Sequence, residues 1–490
     1  MPAIARTALG DLQGLRQDGV IVFRGVPYAM PPVGERRFAA PQPAFPWSGM
    51  RNATAHGPIA PQLPSRLAAA MGGFTRPMDE DCLTLTIWTP AVDAERRPVL
   101  VWLHGGAWIS GAGSLDWYDG ATLARDGNIV VVGVNYRLGA FGYLKHRDLP
   151  VADPGTQDQI AGLAWVAANI AGFGGDPGRI TLAGQSAGAA SIGRMMLDPA
   201  ARLLFHQAIL QSGGFGRAPL TVSDAQAITA QYCQMLDINA DAPDAVAQLR
   251  AVPVERLLAA QGALAQERAR FGETTPPFMP TVLEAITETA LLAAIAAAAA
   301  ALPVLIGATR EEVHAFFAAN PAMLDPDPTA VAERFAMLGG DPGAYRQRRP
   351  GGSTMDWLAD VTSDHTFLWP TMRLAEAIST ADGAVYAYQF NWAPAASRFK
   401  ACHCIELSFV FGNFDQWPAA PMLDGGDRTE MDALSTLIRG CWTRFVTTGA
   451  PGLPSLNWPA YNRTTRDTMG LGTICGVSGD PAGLGWRAGA

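Results

Sequence analysis

A chain of 490 residues, 49% hydrophobic and 16% charged, can bury a large core, and length alone would allow up to about three domains. A net charge of -8 and a pI near 5.4 argue against nucleic acid or an anionic membrane surface as a partner. Six cysteines are too sparse for a disulfide scaffold, and no apolar run reaches the ~18 residues that suggest a membrane span.

Residues 1–6 show no basic stretch followed by an apolar one, so no export leader is expected and the cytoplasm is the expected location. Alternation over 10–23 around Asp18-Gly19 predicts a hairpin. The proline-rich stretch 39–78 reads as a long ordered loop, of the kind that walls a pocket. Strand alternation returns at 80–88. Short apolar runs at 99–103, 129–134, 180–183, 207–212, 304–307 and 385–390 then predict buried parallel strands, with a helix over about 156–171. Helical stretches at 222–291 and 313–380 are expected as insertions at the C-terminal ends of strands, where open α/β sheets form pockets. The alanine-rich run 291–302, ended by Pro303, reads as a helix against the core. The expected architecture is α/β: a central, mostly parallel sheet flanked by helices, in one domain over 1–490.

The densest chemical signal is Gly184-Gln185-Ser186-Ala187-Gly188, between an apolar strand and a helix predicted over 189–197. A serine with glycines two places away on either side suits a nucleophile elbow, because the turn is too tight for side chains at those flanks. Such a pentapeptide also arises by chance, so partners decide its meaning. A serine hydroxyl needs an adjacent base, and in this fold the acid and then the histidine follow the serine along the chain. That order leaves His206, His314, His365 and His403. His403 is favoured because it falls in a loop after the last predicted strand. The acid should follow a strand end, where Gly307-Ala308-Thr309-Arg310-Glu311-Glu312 offers two adjacent carboxylates. His104-Gly105-Gly106-Ala107, after the 99–103 strand, has the small residues that let backbone N–H groups approach an oxyanion, with Ala187 beside them.

With these residues in place the chain resembles a type-B carboxylesterase of the α/β-hydrolase fold, the group containing bacterial para-nitrobenzyl esterases and animal cholinesterases. The likeness spans nearly the whole chain: Phe23-Arg24-Gly25-Val26-Pro27-Tyr28-Ala29, Glu80-Asp81-Cys82-Leu83, the His104 loop, Asn135-Tyr136-Arg137, Phe173-Gly174-Gly175-Asp176-Pro177, the Gly184 elbow, Gln211-Ser212-Gly213, the Gly307 to Glu312 segment and His403-Cys404-Ile405-Glu406-Leu407. It implies Ser186 as nucleophile, Glu312 rather than Glu311 as acid, His403 as base, and an oxyanion hole from the amides of Gly106, Ala107 and Ala187. It also implies ion pairs of Arg37 with Glu80 and of Arg137 with Asp176, and a supporting role for Ser212 near the triad. Trp108 and Phe74 are the expected aromatic walls of the substrate pocket.

Two departures shape the expectation further. Secreted relatives pair Cys82 with an upstream cysteine, which is missing here, so Cys82 should be a free thiol. The loop 39–78 also lacks the tryptophan with which cholinesterases bind quaternary ammonium. The expected activity is hydrolysis of uncharged carboxylic esters through an acyl-enzyme. Aryl carbamate or anilide cleavage by the same residues is the alternative, and a non-catalytic scaffold of the same fold a remote one. No metal or organic cofactor is implied, although Cys402 and Cys404 flank His403. The expected partner is a small-molecule ester, with a monomer expected and a dimer not excluded.

Overall fold

The computed structural model describes residues 3–483; Met1 and Pro2, which open the stretch read as leader-free, lie outside the described residues. The main strands are β1 (Ala3–Thr7), β2 (Gly10–Gln17), β3 (Val20–Pro27), β4 (Thr84–Thr89), β5 (Arg97–Leu103), β6 (Val130–Val134), β7 (Gly175–Gln185), β8 (Gln207–Gln211), β9 (Val304–Thr309), β10 (Val385–Phe390), β11 (Asp467–Leu471) and β12 (Gly476–Gly479). They form one twisted ribbon in the spatial order β1-β2-β3-β4-β6-β5-β7-β8-β9-β10-β11-β12, with Met50–Asn52 pairing alongside β2. The strands from β6 through β11 in that order run parallel, and antiparallel strands close both edges. This is the arrangement that the α/β-hydrolase resemblance implies.

Residue type explains the buried centre. In β5, Val99, Val101 and Leu103 face one hydrophobic core while Leu100 and Trp102 face the other. Val130, Val132 and Val134 of β6 repeat the pattern against Val131. Period-two side chains that are apolar on both faces demand cover on both faces. Helices supply it: Pro154–Asn169 and Glu288–Ala299 on one side, Arg428–Thr448 on the other. The helix Pro154–Asn169 starts at a proline in its first turn, where a missing N–H has no cost.

The hairpin at 10–23 and all six apolar runs are strands as expected, and the helix read at 156–171 spans Pro154–Asn169. β11 and β12 were not anticipated: 467–479 is glycine-rich and short in apolar residues, and becomes strand only by pairing with β10. The inserted regions are helical, including Val222–Met235, Val254–Glu267, Pro328–Leu338 and Thr354–Ser363. Their last helices, Glu288–Ala299 and Trp369–Thr380, pack on each other and lead into β9 and β10, so both belong to the sheet's own covering layer. The loop 39–78 contains one helical turn, Ala68–Met71.

One expected ion pair is different. Arg37 does meet Glu80, donating from Nε to Oε1 at 2.7 Å, and its Nη1 reaches the carbonyls of Arg250 and Val252. Arg137, however, pairs with Asp158 and not with Asp176. Its Nε and Nη2 each donate to that carboxylate at 2.7 Å, in a site where both partners are buried. Asp158 projects from the helix Pro154–Asn169 onto the turn after β6, whereas Asp176 lies at the surface with Arg96. Asp158→Asn should therefore lower unfolding stability by about 3–5 kcal/mol, since it strands a buried guanidinium. Asp176→Asn should leave the denaturation midpoint within error, and the reverse ranking would restore the expected pairing.

Candidate active site

The turn after β7 is built by contact. A Cβ on Gly188 would lie 2.0 Å from the Leu103 carbonyl oxygen, and one on Gly184 would lie 2.8 Å from the Gly188 carbonyl carbon. Ser186 sits at the apex with φ 55° and ψ -121°, a backbone conformation that L residues rarely adopt. Its amide is held by the Gln211 carbonyl at 2.8 Å, and the helix Ala187–Met195 starts at the next residue. Ser186 is 7% exposed, at the positive end of that helix.

The two carboxylates after β9 divide cleanly. Glu312 is fully buried; one oxygen accepts from the Thr309 amide at 2.8 Å and the other meets Nδ1 of His403. Backbone also joins them, with the His403 amide donating to the Glu312 carbonyl at 3.0 Å. Glu311 turns away, accepting from Arg310 Nε, Arg349 Nη2 and the Ala401 amide. His403 is flanked by the rings of Phe367 at 4.9 Å and Phe316 at 5.7 Å. Its Nε2 faces the elbow, where the Gln185 side-chain amide meets it at 3.2 Å. Among the described residues no hydrogen bond joins Ser186 Oγ to that ring, and such contacts commonly tighten only when substrate binds.

The other histidines are engaged elsewhere. His206 accepts from the Ile180 amide, His314 meets Asp356 at 3.0 Å, and His365 packs edge-on against Trp369. His104 is stacked on Tyr136 at 4.2 Å and bonded to the Gly105 carbonyl; burial pushes its pKa down to about 4, so it is neutral. It braces the loop in which Gly106, Ala107 and Trp108 all have positive φ, at 115°, 54° and 58°. A Cβ on Gly106 would fall 2.0 Å from the Ser110 carbonyl oxygen, which explains that glycine. The Gly106 and Ala107 amides donate to no other group among the described residues, and the Ala187 amide, first in its helix, has no intrahelical acceptor.

The remaining expected residues fall in different places. Ser212 has φ 50° at the end of β8, and its buried hydroxyl leans on Glu406 without a full hydrogen bond. Trp108 is buried in the same apolar cluster as Ala187, with its indole N–H on Ser191 Oγ at 2.9 Å. Phe74 lines a separate cavity of about 230 Å³ with Trp117 and Trp417, and no candidate triad residue lines it. The six cysteines are free; the thiols of Cys402 and Cys404 are pushed far up by burial, and no group of three or more possible metal ligands occurs among the described residues.

Two side chains that sequence reasoning passed over stand beside His403. Gln185 points inward from β7, with its oxygen 2.5 Å from where a Cβ on Gly105 would lie. Glu406 is buried and touches Gln211 Nε2 at 3.5 Å; burial first, and then the charge of Glu312, push its pKa up to about 8. A single acid heading the apolar run 405–411 was a readable sign of a buried carboxyl. Folding raises this pKa from its ordinary 4.5, so the native state binds more protons than the unfolded chain between about pH 4.5 and 8, and stability falls as pH rises through that window. Glu406→Gln should flatten that part of a denaturant-midpoint profile; parallel profiles for the variant and the parent would place an ionised Glu406 in the native protein.

Comparison with known proteins gives this geometry its context. The carboxylesterase family model matches residues 2–337 and 343–475. The chain is 39% identical to a phenmedipham hydrolase of Pseudarthrobacter oxydans, over 94% of this chain and 92% of that protein. It is 36% identical to the para-nitrobenzyl esterase of Bacillus subtilis, over 98% and 96%. Among solved structures, a carboxylesterase of Geobacillus stearothermophilus superposes with a TM-score of 0.86 at 33% identity, covering 99% of each chain. A thermophilic para-nitrobenzyl esterase gives 0.85 at 35%, covering 98% of each. The chain belongs to the carboxylesterase family and is a carboxylic ester hydrolase.

Proposed function

We propose that the chain is a serine esterase working through an acyl-enzyme, with Ser186 as nucleophile, His403 as base and then acid, and Glu312 as the orienting carboxylate. The observation that carries this reading is the Glu312 carboxylate, bound at once to the Thr309 amide and to His403 Nδ1. That bond keeps the proton on Nδ1 and presents Nε2 as an acceptor toward the elbow. Ser186 gives its proton to Nε2 as Oγ attacks the ester carbonyl, and the amides of Gly106, Ala107 and Ala187 receive the oxyanion. The imidazolium, stabilised by Glu312, returns the proton to the departing alcohol. Water then repeats the attack and releases the acid. In the resting protein the Gln185 amide occupies Nε2; substrate binding lets Ser186 take its place.

A second reading, aryl carbamate or anilide cleavage by the same residues, draws on the relative named for phenmedipham hydrolysis. Relative turnover of para-nitrophenyl butyrate and an aryl carbamate separates the two. We also read 1–490 as one domain, because strands from Ala3 to Gly479 share one sheet. The cytoplasmic reading is supported by six free cysteines, and no helix among the described residues is long and apolar enough to cross a membrane.

Ser186→Ala should lower kcat on para-nitrophenyl butyrate by on the order of 10⁴ to 10⁶, and retention of a tenth of the activity would remove Ser186 from the mechanism. Glu312→Gln should cost on the order of 10⁴ in kcat. Glu311→Gln should cost far less, since Glu311 faces Arg349; equal losses would count against the division of roles.

A further inference from the structure

Two cavities, of about 670 and 320 Å³, adjoin and share Arg66, Ala269, Arg270 and Glu273 as walls; no candidate triad residue lines either, but a neighbour of His403 does. The larger is lined by Phe316, whose ring lies 5.7 Å from that of His403. The smaller is lined by Ile109, two residues beyond Ala107 of the oxyanion loop. Phe316 thus links the larger cavity to the His403 ring, and Ile109 places the smaller one near the loop that follows Leu103.

Their charge is one-sided. Arg66, Arg268 and Arg270 line the walls, and Glu273, the one carboxylate among the lining residues, is paired with Arg334 at 3.3 Å. Arg268 bonds to the neutral Gln231 side chain and Arg270 to backbone carbonyls. Arg66 is exposed and opens onto both cavities. Arg217, half-buried, stands behind Thr274 in the wall of the larger cavity. It lies over Gly214, just past Ser212, with Nη1 2.6 Å from where a Cβ on Gly214 would be. It sits 5.0 Å above the Phe367 ring, which packs on His403. Arg217 Nη2 donates to Thr274 Oγ1 at 2.8 Å, and its buried Nε has no partner. Arg66 and Arg217 are near enough to repel each other, and Arg217 is near enough to feel Glu312.

A half-buried guanidinium without a carboxylate partner, as at Arg217, is costly, and a ligand that brings the missing anion reduces the cost. A guanidinium suits a carboxylate because its planar N–H groups can meet both oxygens at once. We propose that this cavity reads a carboxylate: the substrate is an ester with a free carboxylate on its acyl or alcohol half, bound by Arg66 and Arg217 on the Phe316 and Phe367 side of the triad. The inference rests on the serine-esterase reading and replaces the expectation of uncharged esters.

Two matched pairs test it. Mono-4-nitrobenzyl adipate against its neutral adipamate places the anion on the acyl half; 4-(butanoyloxymethyl)benzoate against the corresponding benzamide places it on the alcohol half. The anionic member of one pair should be preferred by about tenfold to a hundredfold in kcat/KM, with a preference that shrinks as salt is raised. Arg66→Gln and Arg217→Gln should each lower the ratio of anionic to neutral turnover by about tenfold. The ratio is internal to each variant, and the salt dependence needs no variant at all. Equal or better turnover of the neutral member in both pairs overturns the proposal while leaving the esterase reading intact, as does a preference that survives both substitutions. Failure to hydrolyse any of the four, with Ser186 unlabelled by a fluorophosphonate, overturns both.

Discussion

The arrangement at the catalytic end of the sheet depends on one close approach, the turn after β7 lying flush against the end of β5. Only hydrogen at Gly188 allows the helix Ala187–Met195 to begin against the Leu103 carbonyl, where a Cβ would come within 2.0 Å. That contact fixes Ser186 beside the loop that follows Leu103, so the candidate nucleophile and the candidate oxyanion amides are held by one close approach between two segments. The positive φ values at Ser186, Ala107, Trp108 and Ser212 cluster around it. Strain of this kind persists only where surrounding structure over-determines it, and here the two hydrophobic cores on either side of the sheet do so.

The sheet was legible because its strands are apolar on both faces, a pattern that demands cover whatever the rest of the chain does. β11 and β12 were not, since 467–479 becomes strand through its neighbours and not through its own composition. The same distinction holds at the site. Ser186, Glu312 and His403 lie in segments whose residue types are dictated locally by a tight turn, a strand end and a loop. Gln185 and Glu406 take their positions from packing across the sheet, as Asp158 does in replacing Asp176 beside Arg137. Pairings between segments distant in sequence are set by the tertiary fold, and a single sequence carries little trace of them.

Electrostatics inside the protein run against its surface. The chain has a net charge of -8, yet Arg66, Arg268 and Arg270, which line the two cavities near Phe316 and Ile109, have no carboxylate partner among the described residues. Glu406, buried near Glu312, has its pKa pushed up to about 8 by burial and then by that charge, which disfavours a second negative charge there.

The third hydrophobic cluster has an evolutionary meaning. It joins Ile228, Tyr232, Leu257 and Leu264 of the inserted helices to Phe278, and it includes Trp108 and Ala187, which follow Ala107 and Ser186 in the chain. Close-packed interiors transmit volume changes. The inserted helices are therefore mechanically continuous with the backbone at Trp108 and Ala187, beside the candidate oxyanion amides. Drift in pocket shape and drift in rate are then coupled traits: a substitution that enlarges the pocket acquires its value only together with a compensating one in the same cluster. The order in which such substitutions arise constrains which specificities a lineage of this chain can reach.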